Sequence, residues 1–332
     1  MHEYRELLRL SPKLFKSRIT IEQVIGEGKF GTIHRVLYED PSRGSGSADV
    51  VGHLTKCVPK MQLHEALAFM ARYEDTLKAG SHPNIIGLRG VSEDMEKFLV
   101  VTDNFSHPDL QSVLRESRAV SHDSSSNANA SLLSSERLFS MMTGVAHGTG
   151  HLIKQGISHP MLASCNVLVA ERGLVRISGF GLATHQHLHG SLHNPRSCPI
   201  RWQAPECFEP DFTKATGQSH IWSLGVLIWE IASLGGTPYA NVTSNEKLVE
   251  MHRSKESRLE KPKYCSEALT TAIQLCLEHD RTKRPDTIEA IAKRLECLAA
   301  DPKYHLDLTI KEDETFSYLP IATHLELPFY KF

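Results

Sequence analysis

Between Glu136 and Glu206 this 332-residue chain carries one acidic side chain, Glu171. The scarcity removes most carboxylates that could accept a proton or hold a hard cation along that stretch. Also missing is any apolar run near the ~20 residues that a membrane-spanning helix needs. The start, Met1-His2-Glu3-Tyr4-Arg5-Glu6, has no apolar core of a signal peptide. The seven cysteines are odd in number and include no Cys-x-x-Cys pair, which points to reduced thiols and a cytoplasmic setting. Asn129-Ala130-Ser131 and Asn241-Val242-Thr243 match glycosylation sequons, but a cytoplasmic chain would not meet the enzyme that uses them. A formal net charge of -2 gives no electrostatic reason to expect nucleic acid as a partner. There is no internal repeat.

What is present reads as β-rich first and helical afterwards. Residues 18–36 read as strand, glycine-rich turn and strand, and Pro41 to Ser47 as a polar connection. A helix is expected over 61–79, with Leu63, Ala66, Phe69 and Met70 on its apolar positions, and a short strand at Phe98 to Val101. Further helices are expected over 136–154 and 219–234, with at least two more in 265–300. The Ser/Asn-rich stretch, about 119–135, is too poor in apolar residues to fold alone and reads as a flexible insertion.

Gly26-x-Gly28-x-x-Gly31 leaves two readings open, a loop that cradles nucleotide phosphates or a ligand-free β-turn. A dinucleotide-binding fold is disfavoured, because the residues after Gly31 alternate as a strand instead of opening a helix. His185, His187, His189 and His193 fall at alternating positions that would share a face of an extended strand. A zinc site there is disfavoured against solvated loop histidines, since no partner ligand can be named.

Several ordered phrases carry a resemblance. His159-Pro160-Met161-Leu162-Ala163-Ser164-Cys165-Asn166 and Gly179-Phe180-Gly181 lie along the protein-kinase catalytic loop H-R-D-L-x-x-x-N and the D-F-G motif. Pro199-Ile200-Arg201-Trp202-Gln203-Ala204-Pro205-Glu206 resembles the tyrosine-kinase P-[VI]-[KR]-W-M-A-P-E. Ser219 to Ile231, Ser233-Leu234-Gly235-Gly236-Thr237-Pro238-Tyr239, Arg258-Leu259-Glu260-Lys261-Pro262 and Lys283-Arg284-Pro285 continue it. The chain is similar to the receptor tyrosine kinases of the FGF, VEGF and Tie groups over roughly residues 18–298.

That resemblance implies an α+β, bilobal protein-kinase fold: an N-terminal extension at 1–17, a β-rich N-lobe with one main helix at 18–102, and a mainly helical C-lobe at 103–298. A tail, 299–332, carries Tyr304, Tyr318 and Tyr330. Nucleotide contacts would fall to Gly26, Gly28, Gly31, Ile33, Leu54, Lys56, Val101, Asn166 and Leu168. Met161 stands at the position of the catalytic base and Gly179 at that of the magnesium-binding Asp, so no catalytic acid is intact and no metal is expected. Arg72 falls where the family places the Glu that pairs with the strand lysine, here Lys56. Glu206 and Arg284 keep the family's buried ion pair. His220 replaces the Asp that holds the catalytic loop's backbone, so the loop is expected to have lost its scaffold. No tyrosine lies in the segment Gly179 to Glu206 for autophosphorylation.

The reading is a pseudokinase, an interaction or allosteric module partnered by another protein kinase or signalling protein. No cofactor is required, and any ATP binding is expected to be weak and magnesium-independent. The expected setting is cytoplasmic, alone or as the intracellular part of a receptor-like protein. The alternatives are a weakly active atypical tyrosine kinase and an eroded, nonfunctional product.

Overall fold

The computed structural model describes residues 2–28, 30–39, 47–56, 60–93, 97–103, 109–122, 133–159, 161–170, 173–181, 200–209, 217–262 and 264–308. Only the backbone is described at 2–4, 26–28, 47–49, 53, 56, 93 and 119–122. The chain divides into two compact units. One takes in residues 1–106 and 178–194, the other residues 107–177 and 195–332.

The first unit is a five-stranded antiparallel sheet with helices. Strands β1 (Ile19–Gly28), β2 (Gly31–Glu39), β3 (Ser47–Lys56), β4 (Leu88–Glu93) and β5 (Lys97–Asp103) lie in the order β1-β2-β3-β5-β4. Helix α1 (His2–Leu10) opens the chain, and α2 (Leu63–Ala79) follows β3. A reciprocal capping box starts α2, with the Gln62 N–H donating to Glu65 Oε2 at 3.3 Å, and Gly80 ends it at φ +60°. Phe69 and Tyr73 of α2 pack on Val91, Phe98 and Val100 of the sheet. Phe98 meets both rings edge-on, at 5.8 and 5.7 Å between centroids.

The first seventeen residues, expected as an extension, are packed into this unit. Leu8 of α1 joins the core of α2 and the sheet. Lys13 then forms a parallel bridge to Val91, with the Leu14 N–H donating to the Val91 carbonyl and the Val91 N–H to Pro12. Gly90 permits this approach: at φ +155°, a Cβ there would lie 2.7 Å from the Pro12 carbonyl oxygen.

The second unit is mainly helical: α3 (Leu110–His122), α4 (Ser135–Lys154), α5 (Gly217–Ala232), α6 (Asn245–Arg253), α7 (Glu267–Cys276) and α8 (Ile288–Ala299). A small hairpin, β6 (Val167–Val169) with β7 (Val175–Ile177), completes it. Helix α5 is buried from Ser219 through Ala232, as expected of a helix that is hydrophobic all round and sits in the core. It stops two residues short of the expected 234, because Leu234 and Gly235 turn left-handed at φ +51° and +81°. The Ser-rich stretch is narrower than expected. Helix α3 continues to His122, and Leu133 and Ser135 are buried at the far edge. Residues 123–132 lie outside the described residues. No helix among the described residues is long and apolar enough to cross a membrane. Cys165, Cys207, Cys265, Cys276 and Cys297 are free thiols.

Candidate functional site

In the sheet unit the glycine-rich turn is the tip of the β1–β2 hairpin, where Gly26 aligns with Ile33 and Gly28 with Gly31. Gly31 is required by packing alone. Its φ is +152°, and a Cβ would lie 2.2 Å from the Leu54 carbonyl oxygen of β3. Phe30 packs edge-on against Phe69, at 5.5 Å between centroids. The hairpin is therefore ordered by its own unit, which keeps both sequence readings of the glycines in play.

The register corrects one expectation. Thr32, not Ile33, aligns with Leu54 on β3, and Leu54 aligns with Leu99 on β5. Directly opposed residues share a sheet face, and a one-residue offset changes the face. Leu54 and Val101 therefore belong to one face, packed with Val36, Val50 and Leu99. Ile33 belongs with Val100 to the other face, on which α2 packs. Three residues expected to line one nucleotide surface are split between two. Lys56 ends β3, and its side chain lies outside the described residues.

Arg72, at the position of the family's pairing Glu, has a backbone partner in its own unit. Its Nη1 donates to the Gly181 carbonyl at 3.2 Å, and burial lowers its pKa, against the pull of Asp75. Gly181 sits at φ +52° with no room for a Cβ, which would be 2.5 Å from Thr76 Oγ1 and 2.8 Å from the Arg72 carbonyl. Thr76 Oγ1 itself donates to that carbonyl at 2.8 Å. Helix α2 thus grips the Gly179-Phe180-Gly181 turn through Arg72 and Thr76. Gly179 stands at φ +89°, a conformation that side-chain-bearing residues seldom adopt. Glu74, the nearest acid to Arg72's position in the family pairing, is taken by Lys78 at 2.5 Å.

In the helical unit, the loop from Ser158 to Asn166 carries Met161 at the base position. Its backbone is held from both sides. The Met161 N–H donates to His159 Nδ1 at 3.2 Å, and Asn166 Nδ2 donates to the Met161 carbonyl at 2.8 Å. Leu168 is buried in β6, opposite Arg176. The loop has not lost its scaffold, contrary to the expectation drawn from His220. Nε2 of His220 faces Ser158 Oγ at 3.1 Å and the His159 N–H at 3.3 Å, so that nitrogen accepts and the ring proton belongs on Nδ1. Pro160 has no N–H, so a ring with a single acceptor nitrogen is enough here.

The buried carboxylates among the described residues are Asp109, Glu206 and Glu230, and each has structural work. Asp109 takes the Ser112 N–H and hydroxyl at the start of α3. Glu206 is paired with Arg284 at 2.7 and 2.9 Å. Glu230 accepts from the Ser164 N–H and hydroxyl and from Trp202 Nε1. Burial pushes its pKa up to about 7, against those three bonds. A magnesium site does not fit this loop's own donors, since Asn166 offers one neutral oxygen. Glu171 and the histidines at 185, 187, 189 and 193 lie outside the described residues.

One cluster had no signal in the sequence beyond the family phrase that contains Arg258. Arg258 Nη1 donates to His279 Nδ1 at 3.0 Å, so the neutral His279 carries its proton on Nε2. That nitrogen is 2.9 Å from Ser257 Oγ, whose own hydrogen goes to His252 Nδ1 at 2.7 Å. His252 is 1% exposed, and its Nε2 has no hydrogen-bond partner. Phe208 stacks on it, and Trp222 and Tyr239 meet it edge-on. Burial, then His279, pushes His252 down to about 3, with Glu206 opposing. Burial, then Arg258, Arg284 and Lys255, pushes His279 down to about 4.

The sign of the resulting pH dependence follows. The unfolded chain protonates its histidines near 6.5 while the folded chain refuses the proton, so stability is full above ~6.5 and falls on acidification toward 4. His252 alone should cost about 3 kcal/mol by pH ~4.5. Melting curves between pH 7 and 4.5 should show this slope, and His252→Gln should flatten it. An unchanged slope in that variant would remove His252 as its source.

The family model for protein tyrosine and serine/threonine kinases matches residues 19–295. The chain is 31% identical over 310 residues to the angiopoietin-1 receptor of Danio rerio, covering 92% of this chain and 27% of that protein. It is 30% identical over 281 residues to the tyrosine kinase receptor Cad96Ca of Drosophila melanogaster, covering 82% and 35%. It is 31% identical over 309 residues to the fibroblast growth factor receptor of Hydra vulgaris, covering 89% and 36%. The chain therefore spans about a quarter to a third of the length of these relatives.

Proposed function

Because this chain belongs to the protein tyrosine and serine/threonine kinase family, with receptor tyrosine kinases among its relatives, we propose that it works as a catalytically impaired, tyrosine-kinase-like signalling module. The observation that carries this reading is Met161 at the base position, in a unit whose described buried carboxylates are all committed to structure. A thioether neither takes nor gives a proton, and losing a general base costs ~10²–10⁴ in rate. Gly179 supports it from the other unit, offering no ligand where the metal-binding Asp would stand. Function then passes to surfaces and conformational states, read by another protein kinase or signalling protein. The proposed setting is inside the cell, alone or as the intracellular part of a receptor-like protein.

A weakly active atypical kinase is the second reading, favoured by the retained hairpin glycines and Asn166. A thermal-shift titration with ATP, with and without magnesium, separates the two, because a ligand that binds only the folded state raises the melting temperature. We expect a small, magnesium-insensitive shift. A magnesium-induced gain of tenfold or more in ATP affinity, ~1.4 kcal/mol, would establish a surviving metal site and favour the enzyme.

A further inference from the structure

We propose that a cavity between α5, α7 and the Ser257–Pro262 segment binds a small monocarboxylic acid with an aromatic body. The cavity is about 250 Å³ and lies wholly within the helical unit. Trp229, Tyr239, Leu259, Ile273 and Leu277 supply the apolar part of an otherwise polar lining, enough for one ring held by a polar group.

Arg258 lines the same cavity and supplies the anion-binding group. Its Nη1 is spent on the Ser257 carbonyl at 2.9 Å and on His279 Nδ1 at 3.0 Å. The Nε–Nη2 edge is left without a protein partner among the described residues. That edge is the fork that accepts a carboxylate through two parallel bonds. The fork is set in place by the relay behind it, in which His279 is held through Ser257 by the buried ring of His252. A long, exposed side chain is thereby oriented before any ligand arrives, which lowers the entropy lost on binding.

The remaining charges select among anions. Lys261 is tied to Glu267 and does not offer a second free cation. Glu260 and Glu278 also line the cavity, and their charge would repel a doubly charged phosphoryl group more than a single carboxylate. The ligand class is therefore a monoanion with its ring against Trp229 and Tyr239. Nothing in this site overlaps the loop that carries Met161, so it stands independently of the catalytic reading.

Calorimetric titration of the whole chain with 3-phenylpropionate and with its neutral amide tests the proposal. The acid should bind at least tenfold more tightly than the amide. Arg258→Lys, which keeps the charge but not the fork, should weaken acid binding at least tenfold, and His279→Gln several-fold. A short peptide ending in phenylalanine, with a free or amidated terminus, distinguishes a chain end from a free acid as the natural source. Equal binding of acid and amide, or no heat from the acid at millimolar concentration, overturns the assignment without reliance on any variant's folding.

Discussion

Glu206→Ala and Arg284→Ala should each destabilise the helical unit by about 3–5 kcal/mol, because each leaves the other's charge buried and unpaired. Both groups are buried, at 7% and 3% exposure. The guanidinium meets both carboxylate oxygens, at 2.7 and 2.9 Å. Around this fork the remaining capacity is filled. Ser219 Oγ donates to Glu206 Oε1 at 3.0 Å, and Arg284 also donates to the carbonyls of Gln218 and Glu278. Trp222 lies under the guanidinium at 5.1 Å. Burial would raise the Glu206 pKa, but the Arg284 bond and charge, a backbone N–H and Ser219 outweigh it and hold it below its ordinary value. Its contribution is thus present above the unfolded carboxyl's pKa and is lost as pH falls through the folded one.

In a unit of this size the change in melting temperature should be on the order of 10 °C. Arg284→Lys should fall between parent and Ala, since it keeps the charge and loses the fork. The double Ala variant should cost clearly less than the sum of the singles, because removing both partners leaves no orphaned charge. Midpoints equal to the parent's in the single variants would mean that the pair is not what anchors this segment to α5.

How much of this was legible beforehand depends on the kind of information each feature carries. The pairing of Glu206 with Arg284 was readable because each sits inside a phrase whose spacing is characteristic. The helices at 63–79, 135–154 and 217–232 were readable because burial of one face, or of all faces for the last, leaves a periodic or continuous apolar trace. Register leaves none. Ile33 and Thr32 are adjacent, and only the pairing of β2 with β3 decides which of them joins Leu54. The first helix was missed because one buried leucine, Leu8, ties it to the core. The relay of His252, Ser257 and His279 is assembled by folding from positions with no pattern between them.

His220 is the instructive case. Taken by itself, a histidine in place of the family's Asp looks like loss of a loop anchor. The structure has its Nε2 accepting the His159 N–H at 3.3 Å. Substitution at 220 and the proline at 160 make sense only together, since the proline removes a donor that a second acceptor would have served. Residue-by-residue comparison cannot find such a pair; counting donors and acceptors can.

The parent chain should give no phosphotransfer to a tyrosine peptide, and Met161→Asp with Gly179→Asp should still leave it at least ~10²-fold below the ~1–100 s⁻¹ of ordinary kinases. The two substitutions return a base and a metal ligand, yet the geometry around them has closed on their absence. Asp at 179 would have to adopt φ +89°, which costs ~1–3 kcal/mol for a residue with a side chain, or else move the turn. The turn is not free to move, because Arg72 holds the Gly181 carbonyl and Thr76 fills the space beside Gly181. A carboxylate misplaced by about 1 Å can cost ~10² in rate. The discriminating variant is Arg72→Glu added to the double revertant, which removes the hydrogen bond to the Gly181 carbonyl and so releases the turn. It should raise the rate well above that of the double revertant, whereas His220→Asp in the same background should add little while Pro160 remains. If the double revertant alone reaches ~1 s⁻¹, the turn was never locked and only two side chains had been lost. If His220→Asp gives the larger gain, the loop, not the turn gripped by α2, is what holds the site out of register.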